Sequence, residues 1–600
     1  MDSPHHDYIT SPAKRHKSNP PREIGVMRKS FVDNGSATFL GSSSGIHFIR
    51  TVYNSFARRS AHLSQSKNTQ ENLVPGEDDQ LLQSPGYDAQ AVKKELWAPQ
   101  ELDHRSWTAS FEQLVQWTRS YFECWHPMFP FLSGPKFLEL LEQISQGGLD
   151  GVKTTDVILI QSIVSISLMD GRQVTATRRS TPVPAKLVFR TVDQATESLH
   201  TLFCDPPTIS ILQAAFSVAL FLASLLRLNA ASRIGGVITR TAFHLGLHRC
   251  PARFACFSPE EAAVRQRLFW SIYCLERYLS QSLGIPLSIR DDDIDVCYPG
   301  IERHGEGVYD PNLRLLTYLA KFARVRGLVL ELRNKSILHS QETSNTATQV
   351  NGELAHWWNE VYDDVYPVEE DPGLTPLHRL LLIVFRHESI ISMNRPLLAA
   401  EQSSPEYKTA LQVCIESSRS LITALRGYVL PGGQGTVPLV WPSFTWAVWM
   451  SCLILVYAAW EGDFPVLSAS RYAKTGLSIL QNLSLRGNTW PQTCIEAIRD
   501  LESALSNPPP TPPIDNRPAS PGPAEDRAPD YPTNIVEDPR PAPQYHPSVV
   551  FGDSSINNFP LTYPFPDPGD FESGWNDLWT VADGPWLIEE NFDQNFGFHI

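Results

Sequence analysis

The stretch that decides the fold runs from Ile211 to Pro299: ILQAAFSVALFLASLLRLNAASRIGGVITRTAFHLGLHRCPARFACFSPEEAAVRQRLFWSIYCLERYLSQSLGIPLSIRDDDIDVCYP. Apolar residues recur at helical spacing through three successive segments, which end in a Gly-Pro break and an acidic tract. Ser258-Pro259-Glu260-Glu261 marks the start of the third helix. Serine serves as N-cap, proline takes the first helical position, where its missing N–H is not needed, and Glu261 closes a capping box. Leu268, Phe269, Ile272, Tyr273, Leu275, Tyr278 and Leu279 then share one broad face. Gly284-Ile285-Pro286 ends the helix, because proline lacks a donor and disfavours helix in the residue before it.

The same periodicity continues outward from Trp107 to Ser506, with sparse strand patterns and no recurring hairpin signals. The expected fold class is all-α: a large helical domain, packed as an antiparallel or irregular array, flanked by disordered N- and C-terminal regions. The expected boundaries are a basic, mostly disordered region over 1–105 with a short apolar element at 36–56, and a helical domain over 106–506. A Pro-rich linker over 507–545 and an acidic-aromatic tail over 546–600 complete the chain.

Charge separates the two ends. Of the net −15, residues 507–600 hold 15 acidic residues against three arginines, whereas residues 1–67 hold 10 basic against four acidic. A basic head and an acidic tail fit a protein that meets nucleic acid at one end and protein partners at the other. The stretch NPPPTPPIDNRPASPGPAEDRAPDYP cannot sustain helix or sheet. The last fifty residues carry eleven aromatics and no Lys or Arg, so carboxylates keep the aromatics solvated and able to fold onto a partner groove.

Nine cysteines in 600 residues do not form a disulfide scaffold, and most lie in apolar helical pattern as buried thiols of a reducing compartment. The first thirty residues lack the apolar run of a signal peptide. Between Arg426 and Glu461 there is no charge, so LVWPSFTWAVWMSCLILVYAAW is long enough to span a bilayer. Ile209–Leu228 is a weaker candidate. Core helices of large all-α domains look the same, and the expectation is burial, with no membrane partner.

Several elements, taken in order, resemble the middle region of fungal zinc-cluster transcription regulators. They are Tyr121–Leu132 (YFECWHPMFPFL), Leu245–Arg249 (LGLHR), Arg267–Tyr278 (RLFWSIYCLERY), Leu283–Pro286, Asp293–Val296, and His387–Leu398 (HESIISMNRPLL). Upstream, Phe39–Gly45 resembles the short element that follows the linker in these proteins. The resemblance covers about 36–480 and implies a nuclear regulator of RNA polymerase II transcription with no catalytic residues. Its helical domain would be regulatory and dimerising, with homo- or heterodimers of related regulators as partners.

Within the resembling stretch, Trp270 and Tyr273 read as packing positions, and Arg277 as an ion-pair partner for the carboxylates at 291–295. The family's DNA-binding head needs a cluster of six cysteines whose thiolates hold zinc. In this sequence the first cysteine is Cys124 and no C-x2-C pair occurs, so no cofactor is expected in these 600 residues. Direct DNA contact then requires an upstream cluster, and otherwise a complete relative must supply it. Lys14, Arg15 and Lys17 are candidate import residues. Phe571, Trp575, Leu578, Trp579 and Trp586 are candidate contacts to transcription coactivators.

Two catalytic patterns compete. Asp291, Asp292 and Asp295 fit the DDxxD arrangement by which helical prenyl-diphosphate enzymes hold magnesium, but they follow a Gly-Pro break and no second motif accompanies them. Gly41-Ser42-Ser43-Ser44-Gly45 fits a G-x-S-x-G elbow, but the chain beyond it supplies only helices where a hydrolase needs alternating strands.

Overall fold

The computed structural model describes residues 25–29, 37–57, 95–104, 109–174, 181–300, 310–334, 344–367, 373–399, 402–427 and 438–506. Among them the all-α expectation holds: fifteen α-helices carry the chain, and the strands form two small pairs. The first pair is an antiparallel hairpin of β1 (Val26–Lys29) and β2 (Ala37–Leu40); the second joins β3 (Leu102–Asp103) in parallel to β4 (Val183–Pro184). Helix α1 (Ile46–Ala57) follows the hairpin. Then come α2 (Phe111–Ser120), α3 (Gly134–Gly147), α4 (Thr154–Val174), α5 (Val192–Glu197), α6 (Ile209–Ser224), α7 (Leu228–His244) and α8 (Pro259–Leu283). The second half holds α9 (Arg314–Asn334), α10 (Ser344–Val365), α11 (Pro376–Asn394), α12 (Pro405–Arg426), α13 (Ser443–Glu461), α14 (Val466–Ser484) and α15 (Trp490–Ser506).

Helix α6 packs on α4 and α7, and from α7 onward each helix packs chiefly on its neighbours in sequence, as short connections between antiparallel helices require. The predicted start of α8 is present: Ser258 accepts from the Glu261 N–H, and Glu261 accepts from the Ser258 N–H. Its end is a left-handed cap at Gly284. The expectation of one apolar face was too narrow, because α8 is buried all round from Leu268 to Gln281, with Glu276 and Arg277 included. Helix α13 is buried at every residue from Ser443 to Ala459. It and α4 are long and apolar enough to cross a membrane, but α13 packs against α12, α14 and α15, so its all-round apolarity is accounted for by the protein core.

The N-terminal element belongs to that same core. One cluster of buried apolar side chains runs from Leu40 to Leu505 and includes Ile46, Phe48, Ile49, Val52, Tyr53 and Phe56 of α1. Each large apolar side chain so buried contributes about 1.5–3 kcal/mol before ordering costs. Phe56 stacks on Trp460 with ring centres 3.9 Å apart, and Phe48 meets Tyr457 edge-on at 5.5 Å.

The approach of this element to α8 is backbone to backbone. The Gly41 N–H donates to the Leu283 carbonyl at 3.0 Å, and a Cβ on Gly41 would lie 2.0 Å from the Gly284 carbonyl oxygen. Gly41→Ala should therefore lift the element off the end of α8, with an overpacking cost of about 1–3 kcal/mol. A lowered melting temperature together with faster proteolytic cutting near residues 40–57 would show it. An unchanged melt and digest would mean that the contact is not needed.

Candidate functional site

The described part of the site sits where α8, the acidic loop after it, the N-terminal element and the end of α11 converge. The Gly-Pro break that terminates α8 turns the chain back along the helix and brings Asp291 over its buried face. Arg277, 1% exposed, ion-pairs with Asp291 and donates to the Ile289 carbonyl at 2.9 Å. The Tyr273 hydroxyl donates to the same Asp291 oxygen at 2.7 Å. Glu276 accepts from the Ser280 hydroxyl of its own helix at 3.0 Å and from the Ser288 N–H of the loop at 2.6 Å, which ties the loop down at a second point besides Asp291.

Burial works against the charge on Arg277, but its neighbours hold its pKa above the usual value. Tyr273 is itself pushed well up by burial and stays a neutral donor, so the Glu276 and Asp291 carboxylates supply the attraction. Burial pushes the Glu276 carboxyl up. The expected pairing of Arg277 with the 291–295 tract is present, through Asp291.

The other carboxylates of that tract go elsewhere. Asp292 points to solvent, 86% exposed, with Arg290 at 3.4 Å. Asp295 accepts from the Cys250 N–H at 2.8 Å and pairs with Arg253 at 3.1 Å and Arg249 at 3.7 Å. The three do not converge, and among the described residues no group of three His, Cys, Asp or Glu side chains could hold a metal ion. The magnesium reading thus lacks its ligand cluster.

Gly41–Gly45 does form a strand–turn–helix, as an elbow would. The Ser43 hydroxyl, however, donates to the Gln281 carbonyl at 2.5 Å, a backbone acceptor in place of a catalytic base. The turn is instead a docking element. Arg395 donates to the carbonyls of Ser42 at 3.2 Å and Ser43 at 3.0 Å, and Trp446 donates to that of Ser44 at 3.2 Å. Arg395 lies in the HESIISMNRPLL stretch and Gly41–Gly45 in the upstream element, so two separate pieces of the sequence resemblance touch each other.

Two further buried ion pairs were not anticipated. Arg326 of α9 reaches Glu388 of α11 at 3.4 Å, and Ser443 donates to the same carboxylate at 3.1 Å. Burial pushes Glu388 up and Arg326 down, each partly offset by the other's charge. Arg486 pairs with Asp170 of α4, which also accepts from Ser120 and Trp125. Beside the Arg486–Asp170 pair, whose partner Ser120 helps to line it, a cleft of about 760 Å³ opens next to α2 and α4, with Trp97, Trp117, Cys124, Arg172 and Leu377 also in its wall. Its two best-placed charges, Arg172 and Glu101, are already paired with each other at 2.7 Å.

Residues 118–381 match the sequence profile described as the fungal specific transcription factor domain. The match covers 44% of the chain, so it shows what this stretch is similar to. The match begins in α2 and ends within α11, so the Arg277–Asp291 bridge lies inside the matched stretch, while Arg395, Glu388 and Arg486 lie beyond its end.

Relatives extend the likeness. The chain is 26% identical over 563 residues to the Fusarium proliferatum (strain ET1) protein named "Probable transcription factor FUP6", covering 81% of this chain and 77% of that one. It is 24% identical over 411 residues to "Transcriptional activator protein acu-15" of Neurospora crassa, covering 65% of this chain and 41% of the relative. It is 26% identical over 303 residues to "Activator of stress genes 1" of Saccharomyces cerevisiae, covering 46% and 31%. The chain thus spans less than half the length of the last two. Lys14, Arg15, Lys17, Phe571, Trp575, Leu578, Trp579 and Trp586 all lie outside the described residues.

Proposed function

We propose that this chain regulates transcription by RNA polymerase II in the nucleus, with the helical transcription factor domain as its regulatory module and not as an enzyme. The observation that carries this reading is the domain match over residues 118–381, supported by relatives named as transcription factors and activators. The acidic-aromatic tail is the proposed contact to coactivators, through Phe571, Trp575, Leu578, Trp579 and Trp586. Fusing residues 541–600 to a foreign DNA-binding domain should activate a reporter, and alanine at those five positions should abolish the signal. A silent fusion with the unaltered tail would remove the activating role.

A second reading concerns how the protein reaches DNA. No C-x2-C pair occurs in the 600 residues, so a zinc cluster must come either from sequence upstream or from a relative paired through the helical domain. Mapping the 5′ end of the transcript and translating the upstream frame decides the first alternative. Co-purification with a zinc-containing regulator supports the second.

A further inference from the structure

Cys250 and Cys297 place their sulfurs 4.0 Å apart, and both side chains are buried. Both are thiols in the structure. They sit on two segments that are clamped together immediately beside them. The Asp295 N–H donates to the His248 carbonyl at 3.1 Å, and the Asp295 carboxylate accepts from the Cys250 N–H at 2.8 Å. Cys297 is fixed from its other side, since its carbonyl accepts from Trp270 at 2.7 Å and Gln266 at 3.0 Å. The backbone at both cysteines is thus held by named hydrogen bonds, and the sulfurs face each other as a consequence. A disulfide requires the sulfurs to close to about 2.05 Å, a shift of about 2 Å from the present separation.

The geometry points to a redox modification site: Cys250 and Cys297 form a reversible disulfide when the protein meets a hydroperoxide. The Cys297 sulfur attacks one peroxide oxygen and the O–O bond breaks. The other oxygen leaves as water for hydrogen peroxide, taking the thiol proton, and Cys297 becomes a sulfenic acid. The Cys250 sulfur then attacks the Cys297 sulfur, the S–O bond breaks, and a second water leaves with the Cys250 proton. Two thiols are oxidised and one peroxide is reduced. A dithiol reductant reverses the step by thiol–disulfide exchange.

Selectivity for the pair rests on proximity, since the two sulfurs face each other at 4.0 Å. Burial pushes the thiols of Cys124, Cys414 and Cys452 up to about 12, which keeps them inert. Cys204 and Cys256 are exposed and provide an internal comparison. Next to the pair along the chain, Arg249 and Arg253 pair with Asp295, their side chains 48%, 48% and 26% exposed. The new bond would join the end of the LGLHR turn to the loop that carries Asp291, and it would enclose α8 in a covalent ring. Oxidation would thereby fix the loop on which the Arg277 bridge depends.

The test uses the full-length protein, reduced, then treated with hydrogen peroxide, alkylated under denaturing conditions and digested after arginine and lysine. Cleavage at Arg249, Arg253, Arg290 and Arg303 puts Cys250, Cys256 and Cys297 on separate peptides. The expected product is the Cys250 peptide joined to the Cys297 peptide, two hydrogens lighter than the reduced pair, with matching loss of alkylation at both and full recovery after dithiothreitol. The link should persist in the Cys204→Ser/Cys256→Ser double variant, whose buried core is untouched. Full alkylation of Cys250 and Cys297 after a dose that oxidises Cys204 and Cys256 would overturn the assignment. Linkage of either buried cysteine to one of the exposed ones would overturn it equally.

Discussion

Asp170→Ala should destabilise the helical domain by about 3–5 kcal/mol, the range for breaking a buried ion pair from one side. Asp170 is fully buried in α4, and its partner Arg486, just past α14, is 2% exposed. Alanine would leave the guanidinium without its countercharge and would orphan the Ser120 hydroxyl and the Trp125 N–H, which donate to Asp170 at 2.9 and 3.0 Å. Two atoms of the guanidinium, Nε and one terminal nitrogen, already lack a hydrogen-bond partner among the described residues, so little reserve exists to stabilise the stranded charge.

The decisive comparison is with a double variant, Asp170→Leu/Arg486→Met, in which no charge is stranded. Replacing both partners by apolar residues of similar volume is often close to neutral. Chemical unfolding of the single and double variants therefore gives a sharp contrast: a large loss for Asp170→Ala and much of it recovered in the double. Equal losses in both would mean that packing, not the stranded charge, sets the effect.

That pair also marks the limit of what the sequence could tell. Helix ends were legible because their chemistry is local: the Ser258 capping box and the Gly284 break each involve only a few consecutive residues. Arg277–Asp291 was legible for a related reason, since 14 residues and one reversing break separate the partners. Asp170 and Arg486 are 316 residues apart, and periodicity assigns any lone charge to a solvated face. Nothing in either neighbourhood signals the other.

The same holds for Arg395, whose targets are backbone carbonyls of Ser42 and Ser43 and hence carry no residue signature at all. Most cysteines are buried thiols as their apolar pattern indicates, but the pattern does not single out Cys204 and Cys256 as exposed, nor show that Cys250 faces Cys297 across two segments. The competing metal pattern at Asp291, Asp292 and Asp295, which the Gly-Pro break and the missing second motif counted against, shows that spacing alone is not a site: each side chain turns to a different neighbour.

Between pH 7.5 and 5.5 the domain should lose about 3 kcal/mol of stability to two histidines alone. Burial, assisted by Arg386, lowers His387 to about 3, and burial, assisted by Arg267, lowers His126 to about 4. His126 is only half-buried as a residue, yet its Nδ1 is cut off from solvent and has no hydrogen-bond partner among the described residues, which disfavours its charged form. The sign follows from linkage. Both groups bind a proton near pH 6.5 when unfolded and only near 3–4 when folded, so the unfolded state takes up protons first. Their stabilising contribution is complete above about 6.5 and falls steadily as pH drops, by about 1.4 kcal/mol each at pH 5.5.

His378 acts in the same direction, its pKa lowered by burial against the hydrogen bond it makes to the Cys124 carbonyl. Glu276 and Glu388 act in the opposite one: burial pushes their carboxyls up, so protonation favours the folded state as pH falls. The total slope is therefore a balance, and the informative quantity is the difference made by one substitution. His387→Gln keeps a polar side chain of similar length that does not titrate. Its melting temperature should start below the wild type at pH 7.5 and fall less steeply towards pH 5.5. Parallel curves for the two proteins would show that His387 takes up no proton on unfolding in this range, and the buried neutral imidazole would have to be abandoned.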